Sequence, residues 1–440
     1  MQRNPVIFEQ LLMKNTTIKT FVRMLPACFI LANQGLAAPS SLQPSKPKTE
    51  YLWNQIYGSK TPQKKLHLYK NDENPYVQEV NVTLRMQYQA AWVNGQVGNY
   101  PGSHNWTSEF RRFRAGWNAK VLHDFKIQNV WNVGGVDNNG YWDKKTARWE
   151  DHGQTKTSLY EAFIQYNHKN SGNCFSFGKT NPEIYAENRV SSGSLKTPDM
   201  SIAEQTLLFD SVWGAWAAND TKKNDLGYYL GIWSGTNDSN KQIWGTWQSF
   251  FTTAELSYNI DKVLLDKGRV YVDWVHSFAN RNKPLAGNSE NFVGSQCQNV
   301  ISAYYIGSHG KFDLTTEMLW GLKSNNRAAG NLFGFTFMPS YNINEHLEAV
   351  VKFQLASGNN AVNVGKNRYA KSLQKESPGN ADRYYSVGAG MNFYVYAKDH
   401  SRLKIMTMME YGNSSVSEAN RAKNAGFTGW QFVCGAYTNF

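Results

Sequence analysis

The sequence predicts a membrane-spanning antiparallel β-barrel of about sixteen strands. Three observations carry this expectation. Long segments alternate strictly between apolar and polar side chains, as strands with two different faces do. The connections between them are short and long by turns. No run of about 20 apolar residues exists for a membrane helix, although 14% of the 440 residues are aromatic. A barrel wall needs only every second residue apolar, so such a chain is hydrophilic on average and still covers hydrocarbon. The 15 Trp and 24 Tyr suit two girdles of amphipathic rings at the water interfaces.

Residues 1–38 read as an export signal. Met13 offers a second start, after which Lys14, Lys19 and Arg23 make a basic segment. Met24 to Ala32 is apolar, and Gly35-Leu36-Ala37-Ala38 supplies small residues for cleavage. Residues 39–77, rich in Lys, Pro and Asn, read as an irregular periplasmic leader. The formal charge is +12, and removing the signal leaves +9. An exported chain does not meet nucleic acid, and its Lys and Arg are not clustered in runs. A lumen that attracts anions explains the charge better. Cys174, Cys297 and Cys434 remain after the signal, an odd number that argues against a disulfide framework. No two of the nine His lie within four positions, so no zinc or catalytic cluster stands out. No Ser-His-acid or paired-carboxylate arrangement is visible either. The expectation is a protein without cofactor or enzymatic activity.

The strands follow in order. In 78–92, Val80, Val82, Leu84, Met86, Tyr88, Ala90 and Trp92 form one face and Arg85, Gln87 and Gln89 belong to the other. The same alternation marks 110–121, 346–355 and 384–396. It exceeds the usual soluble strand and suits the roughly 9–11 residues of a tilted crossing. Weaker candidates are 125–133, 159–167, 174–179, 207–217, 227–234, 250–258, 269–278, 299–306, 312–320, 332–341 and 402–411. The segment 429–440 makes sixteen. Short connections fall at 122–124, 168–173, 218–226, 259–268, 307–311, 342–345 and 397–401. Long polar ones fall at 94–109, 134–158, 180–206, 235–249, 279–298, 321–331, 357–383 and 412–428.

The last strand places Trp430, Phe432, Cys434, Ala436, Thr438 and Phe440 on one face. A terminal strand that pairs with the first leaves no open edge. It resembles the carboxy-terminal targeting strand of bacterial outer-membrane barrels, which the barrel-assembly machinery would receive through Phe440. Thr438 stands where a hydrophobic residue is more usual.

If the apolar parity meets lipid, Arg85, Arg112, Arg114, Lys120, Lys352, Arg402 and Lys404 point into the lumen. So do Glu79, Asp313, Glu317, Glu348 and Glu410, which makes the lining mixed. Arg111 has the lipid parity. Arg112 and Arg114 sit one above the other on one face, where an oxyanion could pass from one guanidinium to the next. The connection 180–206 carries Glu183, Glu187, Arg189, Lys196, Asp199 and Glu204. A barrel of this size is an open channel unless something narrows it, so this loop is expected to fold inward, with Arg189 and Lys196 among the pore cations.

These residues resemble the phosphate-selective porin O and P family. The likeness is carried by Arg111-Arg-Phe-Arg114-Ala-Gly116, a hairpin at 122–126 and Tyr160-Glu-Ala-Phe-Ile-Gln-Tyr166. Phe177-Gly-Lys179 with Pro182 and Glu187, and then Glu204-Gln-Thr-Leu-Leu208, extend it. The resemblance spans roughly 78–440. It implies a homotrimer of sixteen-stranded barrels in the bacterial outer membrane, among lipid and lipopolysaccharide. It also implies a third loop inside the pore and passive diffusion of small anions. Arg112, Arg114 and Lys179 match basic residues of the family pattern, and the acidic residues of 180–206 weigh against strict phosphate selectivity. The alternative is an exported soluble all-β carbohydrate-binding protein or enzyme, with its alternating side chains packed between two layered sheets.

Overall fold

A computed structural model describes residues 66–97, 102–134, 141–143, 148–150, 157–207, 211–234, 250–278, 297–322, 331–358, 364, 368–373, 381–397, 399–415 and 426–440. The export signal and most of the leader lie outside these residues. After a short β1 (Leu66–Lys70), the wall begins with β2 (Val77–Val97), β3 (Ser103–Val121) and β4 (Phe125–Gly134). A separate two-stranded ribbon follows, β5 (Tyr141–Asp143) with β6 (Arg148–Glu150). The wall resumes with β7 (Ser158–Asn167), β8 (Asn173–Thr180), β9 (Val212–Asn219), β10 (Leu226–Ser234), β11 (Phe250–Asn259) and β12 (Lys267–Ser277). It continues through β13 (Asn299–His309), β14 (Phe312–Leu322), β15 (Leu332–Asn344) and β16 (Leu347–Gly358). It ends with β17 (Arg383–Tyr394), β18 (Leu403–Ser415) and β19 (Phe427–Asn439).

Each wall strand pairs antiparallel with the next, and β19 returns to β2 from Phe427–Val97 to Asn439–Arg85. The result is one closed ring of sixteen strands, not two layered sheets. Leu230, Ile232, Leu256, Val272, Val351, Phe353, Val387, Phe393 and Trp430 face outward, each more than a third exposed. Their sequence neighbours Gly231, Trp233, Glu255, Asp273, Lys352 and Gln354 face inward. An exposed apolar belt around a closed ring is the surface that hydrocarbon covers.

Three expected element bounds differ in the structure. The connection expected over 94–109 is mostly strand, because β2 and β3 stay paired as far as Gly95–Ser103. The strand expected over 207–217 begins at Val212, and its first residue instead ends a short helix α1 (Ile202–Leu207). The leader expected over 39–77 is not irregular to its end. Its residues 66–70 are β1, which pairs with β2 from Leu66–Val82 to Lys70–Glu79. Phe440 exchanges backbone hydrogen bonds with Leu84, at 2.8 and 3.1 Å. Thus β1 takes up the edge of β2 just beyond the place where β19 stops.

Inside the ring, Ile184, Tyr185, Ile202, Ala203 and Leu207 pack on the inward faces of β9 to β16. Their partners include Val212, Trp233, Phe251, Val275, Val300, Leu319 and Ala356. Here both faces of the wall are apolar, one against lipid and one against the loop. This explains the weak alternation of these strands: Ile232 and Trp233, or Trp274 and Val275, are apolar neighbours with opposite directions. Gly334 permits the approach of α1, since a Cβ there would stand 2.3 Å from the Cβ of Ala203.

Candidate functional site

The chain leaves the wall after β8 and does not return until β9. Residues 181–207 run through the lumen. An irregular segment has amides that no strand partner satisfies, and wall side chains accept them. Tyr185 N donates to Asp273 Oδ2 at 2.6 Å, Ala186 N to Glu317 Oε1 at 3.2 Å and Ile202 N to Gln354 Oε1 at 2.8 Å. The loop also clamps itself. Glu204 accepts from the amides of Glu187 and Asn188 at 2.8 and 2.9 Å, and Glu187 accepts from Ser201 N at 2.6 Å. Burial pushes the Glu204 carboxyl well above its ordinary range, and the carboxyls of Glu317 and Glu187 push it the same way.

Ion pairs fasten this loop to the wall. Lys352 meets Glu187 at 2.8 Å with both side chains buried. Arg189 meets Glu255 and the Tyr304 hydroxyl at 2.7 Å each, and lies over the ring of Tyr271. Lys196 meets Asp313 at 2.7 Å and Glu348 at 2.8 Å. Arg189 and Lys196, expected among the pore cations, are therefore directed at wall carboxylates.

A second segment also enters the lumen. Between β16 and β17, a 3-10 helix (Arg368–Leu373) lies against the inner face of β2, β3 and β19. Ala370 and Leu373 pack with Ala91, Val93, Val97, Phe427 and Val433. Arg368 forms a two-pronged pair with Glu109, and the Tyr369 hydroxyl bonds Glu109 Oε1 at 2.9 Å and also meets Gln89. Burial opposes the charge on Arg368, but Glu109 more than offsets this and raises its pKa. Nothing in the alternation pattern marked this segment.

The inward face of β3 collects the charges. In register, Arg85 stands opposite Arg114 and Gln87 opposite Arg112. Between Gln87–Arg112 and Tyr88–Phe110 the register shifts by one residue, which leaves Arg111 as the extra residue of a β-bulge. Strict parity assigned Arg111 to the lipid side. The bulge turns it inward instead, where its side chain is only 6% exposed and pairs with Asp199 of the loop. Burial alone would push Asp199 up, but Arg111, Arg368 and Lys352 hold its carboxyl below the ordinary value.

Arg85, Arg112 and Arg114 are different. Among the described residues none of the three makes an ion pair. Arg85 donates to the hydroxyls of Ser191 and Ser192 at 2.9 Å each. Arg112 donates to Gln87 Oε1 at 2.7 Å, and Arg114 donates to Asn132 Oδ1 at 3.0 Å while lying 3.4 Å over the ring of Tyr160. Neutral partners fix these guanidiniums without cancelling their charge. Lys120 lies apart, exposed at the turn end and in register with Glu79 and Lys126. Lys179 is buried, with its ammonium donating to the Leu159 carbonyl at 2.6 Å. On the same side of the lumen, the Glu161 carboxylate is held by Gln128, and Glu183 of the loop is exposed.

No protein-family model matches the chain, and no curated protein matches it in sequence. Solved structures share the fold. OprB of Pseudomonas putida, in its high-pH structure, is 12% identical with a TM-score of 0.52, over 82% of this chain and 94% of that one. OmpF of Salmonella typhi, in complex with daunomycin, is 13% identical with a TM-score of 0.55, over 85% of this chain and all of that one.

Proposed function

We propose that this chain is a bacterial outer-membrane porin, a homotrimer whose aqueous lumens pass small hydrophilic solutes and favour anions. The apolar belt sits in hydrocarbon, the long loops meet lipopolysaccharide and the outside, and the short turns face the periplasm. β19, with Phe440 directly after it, is the strand the barrel-assembly machinery receives. No bond is made or broken.

The preference rests on one observation: Arg85, Arg112 and Arg114 stand together on the wall, and among the described residues no carboxylate pairs with them. Fixed cations beside an aqueous passage raise the local concentration of anions and replace part of the hydration they lose there. Lys120 extends the positive lining toward the turn end. A guanidinium offers two parallel donors to an oxyanion. That geometry, with the likeness to the phosphate-selective family, makes inorganic phosphate the first solute to test. Glu161 and Glu183 in the same lumen favour a preference over strict selectivity. The fold shared with OprB and OmpF supports the channel itself.

The test is purified protein in planar bilayers under a salt gradient. Discrete conductance steps with an anion-favouring zero-current potential are expected. A flat trace, or a cation-favouring potential, overturns the reading.

A further inference from the structure

The inward face of β3 carries four charges in six residues: Glu109, Arg111, Arg112 and Arg114. Two different loops meet the first two. The loop of residues 181–207 brings Asp199 to Arg111. The segment between β16 and β17 brings Arg368 to Glu109 through both carboxylate oxygens, and Tyr369 adds a third bond to the same group. Among the described residues, no carboxylate pairs with Arg112 or Arg114. Glu109 has only 5% of its side chain exposed and lies a few residues along the strand from Arg112. Without Arg368 it would be the carboxylate nearest the arginine group on its own strand. The 3-10 helix is held in place by its own packing, with Ala370 fully buried against β2 and β19 side chains.

We propose that Arg368 is a selectivity-determining residue: it masks the Glu109 carboxylate and so keeps the field of Arg85, Arg112 and Arg114 positive. Arg368 acts through Glu109 and touches no solute. The inference rests on the anion preference proposed above. It assigns to the segment between β16 and β17 an electrostatic task in addition to filling space. The long-range part of that task grows as salt falls, because the Debye length lengthens from about 10 Å at 0.1 M to about 30 Å at 0.01 M.

The experiment compares three variants with the parent in bilayers at low salt. Arg368→Gln unmasks Glu109, and the anion-to-cation permeability ratio should fall about twofold, as one added charge at roughly 8 Å implies. Glu109→Gln leaves Arg368 unmatched, and the ratio should rise by a similar factor. The double variant has neither charge, and its ratio should return to that of the parent. A purely steric strap predicts the reverse for the double variant, which has lost the same tie and should behave like the worse single one. An unchanged ratio in both single variants, or a double variant that does not return, overturns the proposal. If Arg368→Gln does not assemble, Glu109→Gln decides alone: a rise sustains the masking and no change overturns it. The parent is measured first, so a parent that lacks anion preference refutes the porin reading rather than this one.

Discussion

Replacing both Arg112 and Arg114 with glutamate turns three uncancelled guanidiniums into one, with two carboxylates beside it. An anion in contact with one guanidinium gains about 1 kcal/mol in water at 4 Å, and about half that from each of the other two at twice the distance. The total of about 2 kcal/mol falls to roughly 1 kcal/mol at physiological ionic strength, where the Debye length is about 8 Å. A difference of roughly 1 kcal/mol is about a fivefold preference. In a tenfold salt gradient this holds the zero-current potential about 30 mV to the anion side, against a limit of about 59 mV for a perfectly selective pore. The double substitution makes the group net negative, so the potential should cross zero. The assay is the zero-current potential of single channels of both proteins, repeated at high salt, where the difference should shrink. A variant that assembles and conducts with an unchanged potential would show that these guanidiniums do not face the ion path.

Three further outcomes are expected. Lys352→Met leaves the buried Glu187 without its cation; the barrel should lose about 3–5 kcal/mol and unfold at a lower temperature in detergent. The check is the temperature at which the folded band disappears from a gel. The raised pKa of Glu204 means that the folded loop holds a proton the unfolded chain has released, in a window opening near its ordinary value of 4.5. That stability is complete below this window and declines as pH rises through it, so thermal stability between pH 5 and 9 should fall, and Glu204→Gln should flatten the curve. Deleting residues 66–70 uncovers the edge of β2 at Glu79–Val82, and the yield of folded barrel should drop. An undiminished yield would deny β1 any part in closure.

The wall was legible because membrane strands repeat one simple rule. Where the inner face kept mostly polar side chains, as in β2, β16 and β17, alternation located the strands to within a few residues. Where the inner face met the loop, as at Ile232–Trp233 and Phe250–Phe251, both faces are apolar and the signal blurred. Parity failed at Arg111 for a different reason. A bulge inserts one residue without changing composition, so no count along β3 reveals it. The inward loop was expected, but its ion pairs were not assignable. Lys196 finds Asp313 and Glu348 at sequence distances of more than a hundred residues. The Arg368–Leu373 segment was invisible because Arg-Tyr-Ala-Lys-Ser-Leu has neither period, and its reason for folding inward lies in Glu109 and Gln89. Of the expected cations, Arg85, Arg112 and Arg114 came together because adjacent strands in register bring them there.

Between the carboxyl-terminal Phe440 and Leu66 lies a gap of about one residue along β2, opposite Thr83. The two segments run in the same direction and share one partner. The described ring from Leu66 to Phe440 is thus a circle with a nick, and the nick need not stay where it is. A circular permutant that joins 440 to 66 through a single small residue and opens instead within 235–249 should trace the same ring, with both of its new ends on the opposite side of the membrane.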